Sequence, residues 1–486
     1  MILRIGMHAT ACLLAVATIA VPFNSAAAQD AALPQGEPGN DLAPKTRPIR
    51  PGPPRYLEQY PFLADSEQQT DFFDPIRYIK LGQSSWLQLG GGIRYMADHL
   101  DNPAFGLSGE SNDNYLQQRL NVHADFHLFD NTMRAFLEMS DTESWGKDLY
   151  SPYDQSDAEI HQAFVGIRLP TFGHGSLITR LGRQEMAFGE QVLVTVRDVP
   201  NVRQTFDGVR LSYNAGNGYK LDAFAVRPVT NIRTGSFNDS SDHDSGDFYG
   251  LYGTIPVNKM FSVDLYEMSY LRDERTLNGV SGEEDRHTLG ARLYGQNTQG
   301  VDYSANLMYQ FGKFAGDDIR AWGFWSAVGY TLENLSWKPG AALRFDVASG
   351  DDNPNDNESN TFDPLFPANG KLYGNASLTT MANLIAIGPQ LAFSPHPDVT
   401  ISPTILALWR ESSDDAAYTP GMRPIAGTVD ASGSRLGMSY DLFARWAPTA
   451  NLTVDLEYQY YDVRGAIRDA GGEDVQYASL RTSFLF

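Results

Sequence analysis

The sequence holds one cysteine, Cys12, in 486 residues. It sits in an apolar stretch at the start of the chain, with Ala9 rather than Leu three residues before it, which argues against a lipoprotein site. Everything after it lacks a thiol, so disulfide frameworks and thiolate metal sites are excluded there. Long hydrophobic runs are also missing. Past the first 28 residues, no stretch reaches the roughly 18 consecutive apolar residues of a membrane helix. A membrane-spanning role therefore requires a closed barrel, the other way to satisfy every backbone group in lipid. Basic charge is scarce: 37 Lys and Arg face 59 Asp and Glu, for a net −22. Nucleic acid is excluded as a partner, because phosphate binding needs a basic surface. Metalloprotease, serine-hydrolase and nucleotide-binding signatures are absent as well. No catalytic residue, cofactor or metal is expected.

What is present is order along the chain. Arg4, the apolar run Ala11 to Phe23 and the small residues Ala26-Ala27-Ala28 predict a cleaved secretory signal over 1–28. Its removal takes away one positive charge and moves the net charge from −22 to −23. Pro34, Pro38, Pro44, Pro48, Pro51, Pro53 and Pro54 predict an extended periplasmic tether over 29–58. Residues 59–486 are expected to form the barrel, with 59–83 capping or lining its periplasmic end.

From residue 85 the hydrophobic period is two. Leu116, Leu120, Val122, Ala124, Phe126 and Leu128 alternate with Gln117, Arg119, Asn121, His123, Asp125 and His127. Gln118 is the one polar residue on the apolar side. This length spans a bilayer as a tilted strand, whereas strands of soluble sandwiches run about 5–6 residues. The pattern recurs over 133–140, 301–311, 341–347 and 452–460, and continues to the terminal Phe486. Counting such segments predicts an all-β, outer-membrane antiparallel barrel of about 18 strands. Short connections near 130–131, 171–175, 257–259 and 448–450 alternate with long ones near 187–204, 229–246, 350–380 and 411–433, as barrels require. A terminal aromatic on an alternating strand resembles the signal read by the outer-membrane assembly machinery.

The polar face should line the lumen, since a charge facing lipid costs about 2–4 kcal/mol at the midplane. It carries Arg94, Arg119, Arg134, Arg168, Arg210, Arg344 and Arg445, with Asp125, Glu138, Asp346, Asp441, Asp455 and Glu457. Arginine forks bind carboxylates through two parallel hydrogen bonds. The residues therefore read either as a ladder for a carboxylated solute or as ion-paired braces. The long connection within 182–210 is charged and is expected to fold inward as a constriction, or to stay outside as a rigid turn. His123, His127 and His161 read as polar filler or, alternatively, as a barrel hydrolase site. The run 351–359 reads as a solvated acidic loop; the alternative, a calcium site, lacks the EF-hand glycine and spaced glutamate.

Several stretches carry a family resemblance. They are Tyr78-Ile79-Lys80-Leu81 leading into Gly90-Gly91-Gly92-Ile93-Arg94, Gly182-Arg183-Gln184-Glu185, Phe206-Asp207-Gly208-Val209-Arg210, His287-Thr288-Leu289-Gly290-Ala291-Arg292, Tyr309-Gln310-Phe311-Gly312, and Ala348-Ser349-Gly350-Asp351 followed by Phe362-Asp363-Pro364-Leu365-Phe366-Pro367. From about residue 54 onward the chain resembles the alginate-export family of outer-membrane porins. The resemblance implies a monomeric barrel of 18 strands that passes an anionic polysaccharide or uronate. Carried over residue by residue, it adds Arg183, Glu185, Arg203, Asp207 and Arg292 to Arg94, Arg210 and Arg344 as lumen candidates. The expected partners are outer-membrane lipid, the anionic polysaccharide and periplasmic secretion components. The competing expectation is uptake of small acidic solutes.

Overall fold

The computed structural model describes residues 54–171, 175–242, 245–297 and 300–486. The predicted signal, most of the tether and part of the predicted 171–175 turn lie outside the described residues. Eighteen antiparallel strands close on themselves. In chain order they are β1 Trp86–Asp101, β2 Asn112–Leu128, β3 Met133–Trp145, β4 Ser156–Leu169, β5 Ser176–Gln184, β6 Phe206–Asn214, β7 Lys220–Pro228, β8 Asp247–Pro256 and β9 Phe261–Leu277. The circuit continues through β10 Val280–Gln296, β11 Val301–Phe314, β12 Asp317–Thr331, β13 Gly340–Ala348, β14 Leu384–His396, β15 Val399–Trp409, β16 Arg435–Trp446, β17 Leu452–Val463 and β18 Val475–Leu485. The fold class and strand number are those expected from the alternation.

The period-two pattern becomes an inside and an outside. On β2, Leu120 and Val122 are 42% and 50% exposed, whereas Arg119 and Asp125 between and beside them are 5% and 0% exposed. The exposed leucines and valines therefore face lipid and the charged residues face inward. Gln118, the exception on the apolar face, accepts a hydrogen bond from the Tyr95 hydroxyl at 2.8 Å, so neither polar group is left unsatisfied.

Closure pairs β1 with β18, from Gly92 opposite Leu485 to Asp101 opposite Gln476. Beyond the ladder, Gly91 and Phe486 exchange two backbone hydrogen bonds of 2.9 Å. The glycine run is needed there: a Cβ on Gly91 would stand 2.6 Å from the Asn121 carbonyl oxygen and 2.9 Å from the Phe486 ring. The Phe486 ring stacks on Phe73 at 5.3 Å, which belongs to the segment preceding the barrel.

The connections alternate in length, with two exceptions on the long-loop side. Asn278-Gly279 and Ala315-Gly316, all at positive φ, close β9–β10 and β11–β12 as tight hairpins. The missing loop length reappears as strand: β9 and β10 each run 17 residues, against nine for each of β5, β6 and β7.

Candidate functional site

An 18-stranded wall leaves an aqueous channel unless something fills it. Three of the described segments enter the lumen. The first is the β5–β6 connection, residues 185–205, which takes the inward course of the two that the sequence left open. The second is the β13–β14 connection, residues 349–383. The two pair with each other: Phe366 donates its N–H to the Leu193 carbonyl at 2.8 Å, and Thr195 donates to the Phe366 carbonyl at 3.1 Å. Around this pairing an apolar core forms inside the barrel, with Phe188, Phe206, Phe224, Phe248, Phe362 and Phe366 all buried. The third is the segment before β1, which the end of the predicted tether joins. Arg55, Tyr56 and Glu58 are buried, so the end of the predicted tether sits inside the barrel.

Charged side chains of the wall hold these segments. On β1, Arg94 donates to the backbone carbonyls of Asp198 (2.6 Å) and Pro200 (3.2 Å). Opposite it on β2, Arg119 bonds the Asp198 carboxylate at 2.6 Å and the Asn201 carbonyl at 2.7 Å. Deeper in the same connection, Arg203 bridges Glu138 of β3 (2.5 Å) and Glu185 (3.0 Å). Glu185 also meets His161 of β4 at 2.8 Å. Arg292 on β10 pairs with Asp264 at 3.1 Å and with Glu190 of the first inward loop. Arg344 on β13 pairs with Asp346 and donates to the Leu372 carbonyl of the second loop. Arg134 on β3 grips Asp125 through two bonds of 2.8 and 2.6 Å, and Arg210 on β6 pairs with Asp222 at 2.8 Å. Eight of the ten predicted residues therefore face the lumen.

Arg183 and Asp207 do not. Strand parity puts them with Leu181 and Val209, which are 60% and 37% exposed on the outer face. They pair with each other across β5 and β6 through two bonds of 2.9 Å, and the Asp239 carbonyl of the β7–β8 connection closes over Arg183 at 3.1 Å. This corrects their placement in the lumen. They brace the extracellular rim where short β5 and β6 end.

Lumen arginines missed by the sequence reading include Arg481, Arg180, Arg272 and Arg286. Arg481 lies between the inward Ser479 and Ser483 on the last strand, so strand parity would have found it. It shares the Asp455 carboxylate with Arg445, at 2.7 Å from each. Arg119 faces Arg94, Arg481 stands opposite Met96 two residues along from Arg94, and Asp455 faces both Arg481 and Arg445 across neighbouring strands, so arginines of β2, β1, β18 and β16 form one stripe that Asp455 of β17 interrupts.

Burial raises the Glu185 carboxyl to about 7, even though Arg203 pulls it down. The unfolded chain loses that proton near 4.5. Between these values the folded barrel binds a proton the unfolded chain has lost, so stability falls as pH rises through the window and levels off above it. The loss is on the order of 3 kcal/mol. Denaturant unfolding of the refolded barrel at a series of pH values reads it. Glu185→Gln is expected to flatten the slope between acid and neutral pH, and equal slopes in both proteins would refute the assignment.

A family model for alginate export matches residues 85–480. The chain belongs to the alginate-export family. Among curated proteins no sequence matches it. Its fold is similar to solved outer-membrane proteins at low identity. The outer membrane protein OpdK from Pseudomonas aeruginosa is 12% identical, with a TM-score of 0.55, over 82% of this chain and 98% of that one. OccK8 (OprE) from the same organism is 13% identical with a TM-score of 0.54, covering 82% and 98%. OccAB2 of Acinetobacter baumannii is 12% identical with a TM-score of 0.54, again over 82% and 98%. This alginate-export family member is thus an outer-membrane β-barrel of porin type, a channel embedded in lipid.

Proposed function

We propose that the channel passes a uronate-bearing, alginate-like polysaccharide by selective passive diffusion. The observation that carries this reading is the arginine stripe on β2, β1, β18 and β16. Arg445 and Arg481 share one carboxylate, and Arg94 turns its guanidinium to carbonyl oxygens. Carboxylates of a solute meet guanidinium groups in series, each contact strong enough to admit the solute and weak enough to release it. The net charge of −22 is compatible with this, because the acidic run 351–358 lies largely exposed in the second long connection. There its carboxylates cap the N–H groups of Asn353 and Glu358.

The paired inward loops favour a second reading, a small carboxylated solute, because a monomer passes a constriction that a polymer crosses only in extended form. Planar-bilayer recordings separate the two. Anion preference in a salt gradient is expected, reduced in Arg94→Gln/Arg119→Gln, together with block by an oligouronate from one side. Block by the monomer alone would favour the second reading. A pore without anion preference, or a double variant with unchanged selectivity, would sink both.

The barrel does no chemistry in this reading. In it His127, held by Asp125 (3.0 Å) and Asn131 (2.8 Å), and His161, held by Glu185, serve as packing and bracing groups. The protein acts as a monomer without a cofactor, and the tether offers periplasmic secretion components a handle.

A further inference from the structure

The segment 54–60 enters at the periplasmic end of the barrel and runs into its middle. Arg55 fastens it at the rim, donating to the Phe486 carbonyl at 2.8 Å and the Gly91 carbonyl at 3.0 Å. One residue on, the Tyr56 ring stands edge-on to Phe164 at 5.4 Å and Phe136 at 6.2 Å. The Arg180 guanidinium covers it at 4.1 Å. Arg134 donates to the Tyr56 carbonyl, and the Tyr56 hydroxyl reaches the Glu185 carbonyl at 3.1 Å, the first residue of the inward loop. Arg180 lies directly across from Arg210, and Phe136 across from Phe164. Neighbouring strands thus build one cradle, with the Phe136 and Phe164 rings, stacked on each other at 5.2 Å, on one side and Arg134, Arg180 and Arg210 around it.

That combination suits a ring bearing a carboxylate. Aromatic faces take the apolar face of a sugar ring, and guanidinium forks take its carboxylate. Tyr56 fills the same space with a ring, a carbonyl and a hydroxyl, the uncharged equivalents of the groups such a ligand would offer. Among the described residues the segment forms no strand pairing with the wall before Ile79. Its hold consists of side-chain packing and hydrogen bonds: Tyr56 and Tyr60 are buried and the Glu58 carbonyl accepts from Gln88 at 3.1 Å, but no wall strand has to part for the segment to leave.

We propose that residues 54–60 are an internal plug, and that the cradle of Phe136, Phe164, Arg134 and Arg180 beneath Tyr56 is a periplasmic-side binding site for a uronate ring, exposed when the plug withdraws. The sugar class rests on the functional reading above; the plug rests on the geometry alone.

Single-channel conductance in potassium chloride tests the plug independently of any solute. Tyr56→Ala, and a variant with residues 54–60 replaced by a Gly/Ser stretch of equal length, should both conduct at least about twice as well as the parent protein. Both should also be blocked by a uronate oligomer, added from the periplasmic side, at lower concentration. Unchanged conductance in variants that keep the gel mobility of a folded barrel would overturn the plug. Raised conductance without tighter uronate block would overturn the sugar site. Should the replacement fail to fold, Tyr56→Cys in a Cys12→Ser background supplies a second reading. A membrane-impermeant thiol reagent on the periplasmic side is expected to label it in the folded barrel, and complete protection would overturn withdrawal.

Discussion

Arg203→Met should destabilise the barrel by about 3–5 kcal/mol, the cost of breaking a buried ion pair by removing one partner. Arg203 is the only cation bonded to Glu138 and Glu185 together among the described residues. Both carboxylates are almost wholly buried. Glu138 keeps amide donors from Asn121 at 3.2 Å and Gln162 at 2.6 Å, but amides do not cancel its charge. Glu185 keeps His161, whose ring is itself buried. The charge left behind on Glu138, rather than the lost volume, sets most of the effect; Glu185, raised by burial even with Arg203 beside it, takes up a proton once that cation is gone. The companion variant Arg203→Met/Glu138→Gln/Glu185→Gln removes the buried charge and should recover most of the loss. Urea midpoints of the refolded barrels measure both. A single variant as stable as the parent, or a triple variant no better than the single, would refute this account.

Replacing residues 362–378 with a short Gly/Ser link should raise conductance at least two-fold or so, because it takes away one half of the constriction and loosens the other. Phe362, Phe366, Leu372 and Tyr373 are buried in the apolar core inside the lumen. The first inward loop depends on them: Leu193, Thr195 and Gln191 lose their backbone partners at Phe366 and Ala368. Arg344 loses the Leu372 carbonyl and the Tyr373 ring, 4.8 Å away, but keeps Asp346 on its own strand. The wall should therefore survive and the pore should widen. Conductance equal to the parent in a folded barrel would show that the narrowest point lies elsewhere, at the Tyr56 plug or the arginine stripe.

Much of this was legible in the sequence. Leu120 outward and Arg119 inward follow from period two alone, because a strand turns successive side chains to opposite faces. The charge of the connection within 182–210 left two readings open, an inward constriction and an external rigid turn, and only the fold turns residues 185–205 inward. Arg183 and Asp207 were misplaced because family motifs were followed instead of parity. Leu181 and Val209, two residues from each, already marked that face as outward. Tyr56 carried no signal: an aromatic beside a proline-rich stretch, outside any alternating strand, has no period to read. The second inward loop was visible as length, but not as direction.

By itself the sequence determined the wall: a closed antiparallel barrel of about 18 strands, its lipid face, its arginine-bearing inner face and the terminal strand ending in Phe486. These are local properties, set by alternation along each strand and by lipid's refusal of unpaired backbone. Only the tertiary structure decided what fills the wall. The pairing of Leu193 with Phe366, the Arg203 bridge and the seat of Tyr56 join residues far apart in the chain. Such contacts depend on which side chains meet across the lumen, and no periodicity along one strand encodes that.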